Sequence, residues 1–255
     1  MRADKTIDFE DRGAGAVVTF IHGFALDRRM WAPQIEALAS THRTIAVNLP
    51  GFGPGGGEAS GVQCPAQRVI DLLDARGVTQ THLVAHSFGG AIAIDIALAD
   101  PSRVLSLTLA DGLLLGRSSM IAAYPVSAAF AQKGEIAKAH EAWLADELFE
   151  LARKNPDLAR ALTQMVNDYG CGHWALRTSN RWLCDAPIPR LGELKFPTLL
   201  INGELDSKAF RAMAVEYGEL LPNARNVILQ GIGHVSNMEA ADAFNALFVP
   251  FVSKS

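Results

Sequence analysis

Ser87 lies in the segment Leu83-Val84-Ala85-His86-Ser87-Phe88-Gly89-Gly90, where an apolar strand-like run gives way to helix-forming sequence. Ala85 and Gly89, two residues to either side, are small enough for the cramped strand-to-helix turn that holds a nucleophilic serine at its tip. Such a serine could instead serve only to cap the helix that begins at Phe88. As a nucleophile it needs help. A hydroxyl attacks poorly at neutral pH unless an imidazole takes its proton, and a carboxylate must then hold the imidazole tautomer and stabilise the imidazolium. Both stand late in the chain, where Asp206 ends Ile201-Asn202-Gly203-Glu204-Leu205-Asp206 and His234 ends Gln230-Gly231-Ile232-Gly233-His234. Side chains of these three types imply acyl transfer through an ester on the serine.

The elements that must position them follow from periodicity. Ala16 to Ile21, Arg43 to Asn48, Val104 to Ala110, the run from Thr198 and the run from Val227 are apolar and β-branched, as buried strands are. Between them, Trp31 to Ser40 and Gln67 to Arg76 carry apolar residues at helical spacing, the second closed by Gly77. Phe88 to Asp100 is apolar almost all round apart from Asp95, which predicts a helix buried in the middle of the molecule. Alternation of this kind predicts βαβ units and a mostly parallel sheet, with Ser87, Asp206 and His234 each just beyond a strand.

From Leu113 to Arg190 the alternation stops in favour of helix-forming sequence without clear strands. This stretch holds Met120, Tyr124, Phe130, Trp143, Leu148, Phe149, Met165, Tyr169, Trp174 and Trp182. Singly, each could pack the interior. As a group, with Tyr124, Trp143, Trp174 and Trp182 foremost, they predict an apolar pocket wall.

Composition narrows the function. In 255 residues the net charge is −4 and 49% of residues are apolar, which supplies a sizeable core and no electrostatic footprint for nucleic acid or an anionic membrane. The expectation is a soluble protein acting on a small molecule. The amino-terminal residues lack an apolar leader and no segment reaches membrane-spanning length, pointing to the cytoplasm. Three cysteines, Cys64, Cys171 and Cys184, without a Cys-x-x-Cys pair argue against a disulfide framework or zinc site, and no histidine spacing suits a metal. No cofactor is expected. Gly51-Phe52-Gly53-Pro54-Gly55-Gly56 does satisfy G-x-G-x-x-G, yet its prolines and further glycine make a loop rather than the start of a helix facing a pyrophosphate.

The order Ser87, Asp206, His234, with His22-Gly23-Phe24 after the first long apolar run, resembles the α/β-hydrolase family from about Thr6 to Phe251. The resemblance implies an α/β fold with a mostly parallel central sheet flanked by helices and a helical cap inserted over the active site. The core would comprise residues 1–112 and 191–255, and the cap residues 113–190. It further implies an oxyanion hole made by the backbone N–H groups of Phe24 and Phe88, with His22, Gly23 and Gly89 in support. Two departures stand out: Ala85 replaces the first glycine of Gly-x-Ser-x-Gly, and Asn48 replaces the aspartate of the Asp-x-Pro-Gly-x-Gly turn, a structural position. His86 is expected to point away from the serine in a packing or wall role, and His42, His82, His140 and His173 to be structural or solvated. Asp111 is the rival acid, because it also closes a strand and some members carry their acid there. Asp206 is preferred for its likeness to the family's Gly-x-x-Asp loop.

A serine at the elbow excludes the haloalkane dehalogenases and epoxide hydrolases, whose members use aspartate. Val235 stands where carbon–carbon-bond hydrolases often have Trp. The stretch His22 to Trp31 resembles that of small bacterial esterases and enol-lactonases. The expected function is hydrolysis of a small-molecule carboxylic ester or lactone with a small to medium apolar acyl group, through an acyl-enzyme on Ser87. Carbon–carbon-bond hydrolysis and perhydrolysis on the same fold stay open, as does a ligand receptor with an intact but slow triad. The oligomeric state is not readable from the sequence.

Overall fold

The computed structural model describes residues 7–55, 61–117, 121–175 and 179–254. Met120, the last two glycines of the 51–57 run and residues 1–6 at the amino terminus lie outside these. In chain order the strands are β1 (Phe9–Arg12), β2 (Val17–Ile21), β3 (Arg43–Val47), β4 (Val62–Gln63), β5 (Thr81–His86), β6 (Val104–Ala110), β7 (Ser179–Asn180), β8 (Thr198–Gly203) and β9 (Ala224–Leu229). Seven of them form the main sheet in the order β1-β3-β2-β5-β6-β8-β9. Its neighbours are parallel except for β1 against β3. The chain winds outward from β2 to β3, then returns to lay β5 on the other side of β2 and proceeds to β6, β8 and β9. Strand order therefore reverses between β2 and β5, and the crevice beyond the carboxyl ends of strands at such a point is where open α/β sheets bind ligands.

The helices are α1 (Ala32–Leu38), α2 (Pro65–Ala75), α3 (Phe88–Ala99), α4 (Ala123–Ala131), α5 (Ile136–Leu144), α6 (Pro156–Asp168), α7 (Gly172–Ala175), α8 (Lys208–Leu220), α9 (Ser236–Glu239) and α10 (Ala241–Val252). Against the sheet, α1 packs on α10 while α2 packs on α3. Phe20 of β2 joins the sheet to the first pair, its ring 5.3 Å from Trp31 and 6.0 Å from Phe248. α3 is buried almost all round, as its composition demands. Its one charged residue, Asp95, is also buried and is satisfied by the backbone N–H groups of Leu183 and Cys184 at 2.9–3.0 Å. That carboxylate, raised in pKa by its burial, fixes the strand-poor segment where it re-enters the core.

Between β6 and β8 the chain forms α4 to α7 and short 3-10 turns at Glu147–Phe149 and Ala152–Lys154. The sequence reading of this stretch as free of strands needs one correction. β7 pairs with β4 in a two-stranded parallel ladder. Two residues carry no periodicity, and their partner lies far away in sequence, so no local signal announces them. Among the described residues no helix is long and apolar enough to cross a membrane.

Gly89 is where α3 meets the sheet, since a Cβ there would stand 2.5 Å from the carbonyl oxygen of Ile21 and 2.6 Å from that of His22. Backbone cannot yield as a flexible side chain would. Gly89→Ala is expected to cost about 1–3 kcal/mol by overpacking. Gly192→Ala, where nothing lies within 4 Å of the new carbon, should leave stability unchanged. Denaturant unfolding of the two variants checks this, and equal midpoints would contradict it.

Candidate active site

Ser87 sits between β5 and α3 with φ 48° and ψ −118°, a backbone region costly for a side chain-bearing residue. Three hydrogen bonds hold it there. Its N–H donates to the Ala110 carbonyl at 3.1 Å, and its own carbonyl accepts from Gly90 at 2.8 Å and Leu113 at 2.9 Å. The strained turn is thus tied to the end of β6 and to the chain beyond it through backbone groups alone.

His234 Nε2 lies 2.9 Å from Ser87 Oγ, and His234 Nδ1 lies 2.9 Å from Asp206 Oδ2. With Nδ1–H donating to the carboxylate, Nε2 is left to accept the serine proton. All three residues are buried. Burial alone lowers the pKa of His234, but the charge and hydrogen bond of Asp206, with Asp111 and Glu239 farther off, outweigh it and set the ring above its ordinary 6.5. The arrangement can move a proton from hydroxyl to imidazole while the carboxylate stabilises the resulting cation.

Several groups place the loops that carry Asp206 and His234. Gly203, at the end of β8, lets the His234 loop pass at backbone contact, for a Cβ there would collide with the carbonyl oxygens of Ile232 and Gly233. Asp111 is also buried, but its carboxylate is spent on backbone, accepting from Gly203 N–H at 2.8 Å and Ser236 N–H at 3.0 Å. It thereby joins the loop after β6 to the end of β8 and to the first residue of α9, just past His234. Burial and the neighbouring Asp206 carboxylate push Asp111 up to about 8. Glu239 accepts from Gly233 N–H at 2.6 Å, closing the turn that carries His234. His86, whose ring is buried and held well below its ordinary pKa, donates from Nε2 to the His234 carbonyl at 2.8 Å. Its packing role therefore includes direct support of the His234 backbone. Glu239 and the clamping role of Asp111 have no local signature in the sequence, because their partners are backbone groups of other loops.

After β2, His22 is fully buried with Nδ1–H donating to the Gly23 carbonyl at 2.7 Å and Nε2 accepting from Leu49 N–H at 2.9 Å. Desolvation drives its pKa down to about 4, so it stays neutral and ties the loop of Gly23 and Phe24 to the chain after β3. Gly23 can carry no side chain because a Cβ would run into the His86 ring. Asn48 is structural, with Nδ2 donating to Asp8 at 2.7 Å and to the Pro54 carbonyl at 3.2 Å.

A cavity of about 250 Å³ opens on Ser87. Phe24, Phe88, Leu113, Tyr124, Trp143 and Phe210 contribute to its walls, together with Ile121 and Asn180. Of the four aromatic residues expected in the pocket, Tyr124 and Trp143 border it. Contrary to expectation, Trp174 and Trp182 do not. Trp174 is buried one layer back, 5.4 Å from Trp143 and 5.8 Å from Phe24 between ring centroids. Trp182 meets Phe88 edge-on at 6.3 Å and borders an outer groove formed by residues 180–185. Phe210, which also packs 4.2 Å from the His234 ring, was not singled out by sequence, since one apolar residue in the first turn of α8 resembles any core position.

A family profile described as the alpha/beta hydrolase fold matches residues 16–241, and the chain belongs to that family. It is a hydrolase of this superfamily. Among its relatives is a protein of Azorhizobium caulinodans provisionally named a carbamate hydrolase, 27% identical over 97% of this chain and 95% of its own. The 3-oxoadipate enol-lactonase 1 of Acinetobacter baylyi is 26% identical over 98% of this chain and 94% of its own. Among solved structures, a thermophilic esterase from Thermogutta terrifontis superposes with a TM-score of 0.79 at 24% identity, covering 97% of this chain and 93% of the esterase.

The raised pKa of Asp111 has a consequence for stability. A carboxyl that binds its proton more tightly when folded contributes stability that is complete below the unfolded value of 3.8 and is lost as pH rises through about 8. Wild type should therefore lose thermal stability between pH 6 and pH 9 more steeply than Asp111→Asn. Unfolding midpoints measured across that range check this, and parallel curves for the two proteins would contradict it.

Proposed function

We propose that the protein is a serine hydrolase of carboxylic esters or lactones with a small to medium apolar acyl group. The observation that carries this reading is the hydrogen-bonded chain from Asp206 through His234 to Ser87, at 2.9 Å for each link, opening on an apolar cavity of about 250 Å³. Ser87 Oγ attacks the acyl carbon as His234 Nε2 takes its proton. The tetrahedral oxyanion is received by the backbone N–H groups of Phe24 and Phe88. Phe88 is the first residue of α3, so its N–H has no carbonyl to meet within the helix, and the positive helix end favours the developing charge. His234 then protonates the leaving oxygen, and water hydrolyses the acyl-enzyme by the same route in reverse. Asp206 is the acid of the triad in this reading, supported by the attachment of both Asp111 oxygens to backbone amides rather than to His234.

The segment 113–190 acts as a cap, since Leu113, Ile121, Tyr124, Trp143 and Asn180 enclose the cavity over Ser87. The named activities of the relatives, on a carbamate and an enol-lactone, are both acyl transfers to water and support the reaction class. A reducing, cytoplasmic setting is supported by the free thiols of Cys64, Cys171 and Cys184.

Kinetics of the variants test the roles. Ser87→Ala and Asp206→Asn should each lose roughly 10⁴-fold in kcat, the second through the wrong tautomer on His234. Asp111→Asn should lose much less. The reverse ranking of the two aspartate variants, with both folded, would move the acid to Asp111. For methyl esters of straight-chain acids, each added acyl methylene should raise kcat/KM by roughly fourfold, from about 0.8 kcal/mol per buried CH₂, until the cavity is full and the trend reverses. A flat profile, or a preference for charged acyl groups, would count against an apolar acyl site.

A further inference from the structure

Ser87 borders a second, much smaller space. Beside the cavity of about 250 Å³ lies a void of about 10 Å³, bounded by Leu26, His86, Leu148, Phe149 and His234. Ser87, Phe24, Ile121 and Trp143 are common to the walls of both, so the two spaces flank the nucleophile as unequal lobes. A volume of this size is near the least that holds one water molecule. Its walls are not free to retreat. Leu148 and Phe149 are buried in a 3-10 turn capped by the Asp146 carboxylate, which accepts from Leu148 N–H at 3.1 Å and from Ala123 N–H at 3.0 Å. The Phe149 ring packs edge-on against Trp143 at 6.2 Å.

The chemistry assigns the lobes. The alcohol oxygen of an ester must receive its proton from His234 Nε2 as the carbon–oxygen bond breaks, so the alcohol departs on the imidazole side. His234 borders the small void, and Phe88, Leu113 and Tyr124 border the large one. We infer that the substrate is an ester of a small to medium apolar acid with an alcohol no larger than methanol, whose methyl group is about the size of the one water the void can hold, and that Leu148 sets this limit. The inference rests on the serine-hydrolase reading above and narrows its substrate class. The serine oxygen bonds to the acyl carbon, the bond from that carbon to the alkoxy oxygen breaks, and the serine proton leaves on the alcohol by way of His234. The vacated space then seats a single water, which gives one proton to His234 as its oxygen bonds to the acyl carbon. That proton passes to Ser87 as the acid is released.

Leu148 also borders an outer cleft of about 430 Å³ whose walls include Glu150, Leu205, Lys208 and Arg211. Leu148 is thus common to the walls of the small void and of a much larger space. Truncating it should join the two.

Methyl hexanoate and pentyl acetate, which share one formula and reverse the bulky arm, test the inference on the unaltered protein. Wild type should favour methyl hexanoate in kcat/KM by at least about 100-fold, since four acyl methylenes at about fourfold each are at stake. Leu148→Ala should then raise kcat/KM for propyl hexanoate relative to methyl hexanoate by about tenfold. Equal rates for the two isomers, or preference for pentyl acetate, would overturn the inference and leave the serine-hydrolase reading standing. An unchanged propyl-to-methyl ratio in folded Leu148→Ala would overturn the role of Leu148. Turnover of neither isomer would overturn the inference as well, and failure of hexanesulfonyl fluoride to label Ser87 would overturn the underlying reading with it.

Discussion

The 2.9 Å contact between His234 Nε2 and Ser87 Oγ is the constraint to which the rest of the architecture answers. It joins groups on loops that leave β5 and β9, far apart in sequence and separated in the sheet by β6 and β8. Side-chain packing alone tolerates shifts of the size that would break such a contact. Here the positions are fixed at backbone level. The Ser87 turn is bonded to Ala110, Gly90 and Leu113, while the base loop is bonded to Asp111, Glu239 and His86 and lies against the bare backbone of Gly203. Buried carboxylates are costly unless satisfied, and those of Asp95, Asp111 and Glu239 each accept at least two backbone N–H groups. Their desolvation cost is exchanged for fixed loop geometry at the site.

Phe24 links that geometry to the helical segment above it. Its ring lies within 6 Å of Phe52, Phe88, Tyr124, Trp143, Tyr169 and Trp174, which come from both the sheet side and the insertion. The loop proposed to receive the oxyanion is therefore packed by residues that border the cavity on Ser87. A change in the inserted segment that displaces Trp143 or Tyr169 would be felt at Phe24. In the proposed reaction, the shape of the acyl group and stabilisation of the transition state would be coupled through this one aromatic side chain.

The sequence disclosed what local pattern can encode. β2, β5, β6 and β8 read as strands because buried parallel strands are continuous apolar runs, and α3 read as central because only Asp95 interrupts its apolar surface. Ser87, Asp206 and His234 were visible from residue type and order, and the structure brings their side chains together. What escaped depends on contacts between distant segments. The β4–β7 ladder is two residues long, the partners of Asp111 and Glu239 are amides of other loops, and Phe210 looks like any apolar residue in a first helical turn. Trp174 and Trp182 show the converse error. Composition placed large aromatic residues near the site but could not tell the wall from the layer behind it.

The central claim is that His234, poised by Asp206, is the base that activates Ser87. The most direct measurement is the rate at which hexanesulfonyl fluoride labels Ser87 as a function of pH, followed by intact and peptide mass spectrometry. Protonated imidazole cannot accept the serine proton, and the Asp206 carboxylate keeps His234 above 6.5. One label is expected, on Ser87, with a rate that rises through a single ionisation whose midpoint lies above the ordinary imidazole value and that collapses in Asp206→Asn. A rate independent of pH between 5 and 9, or a label on another residue, would contradict it.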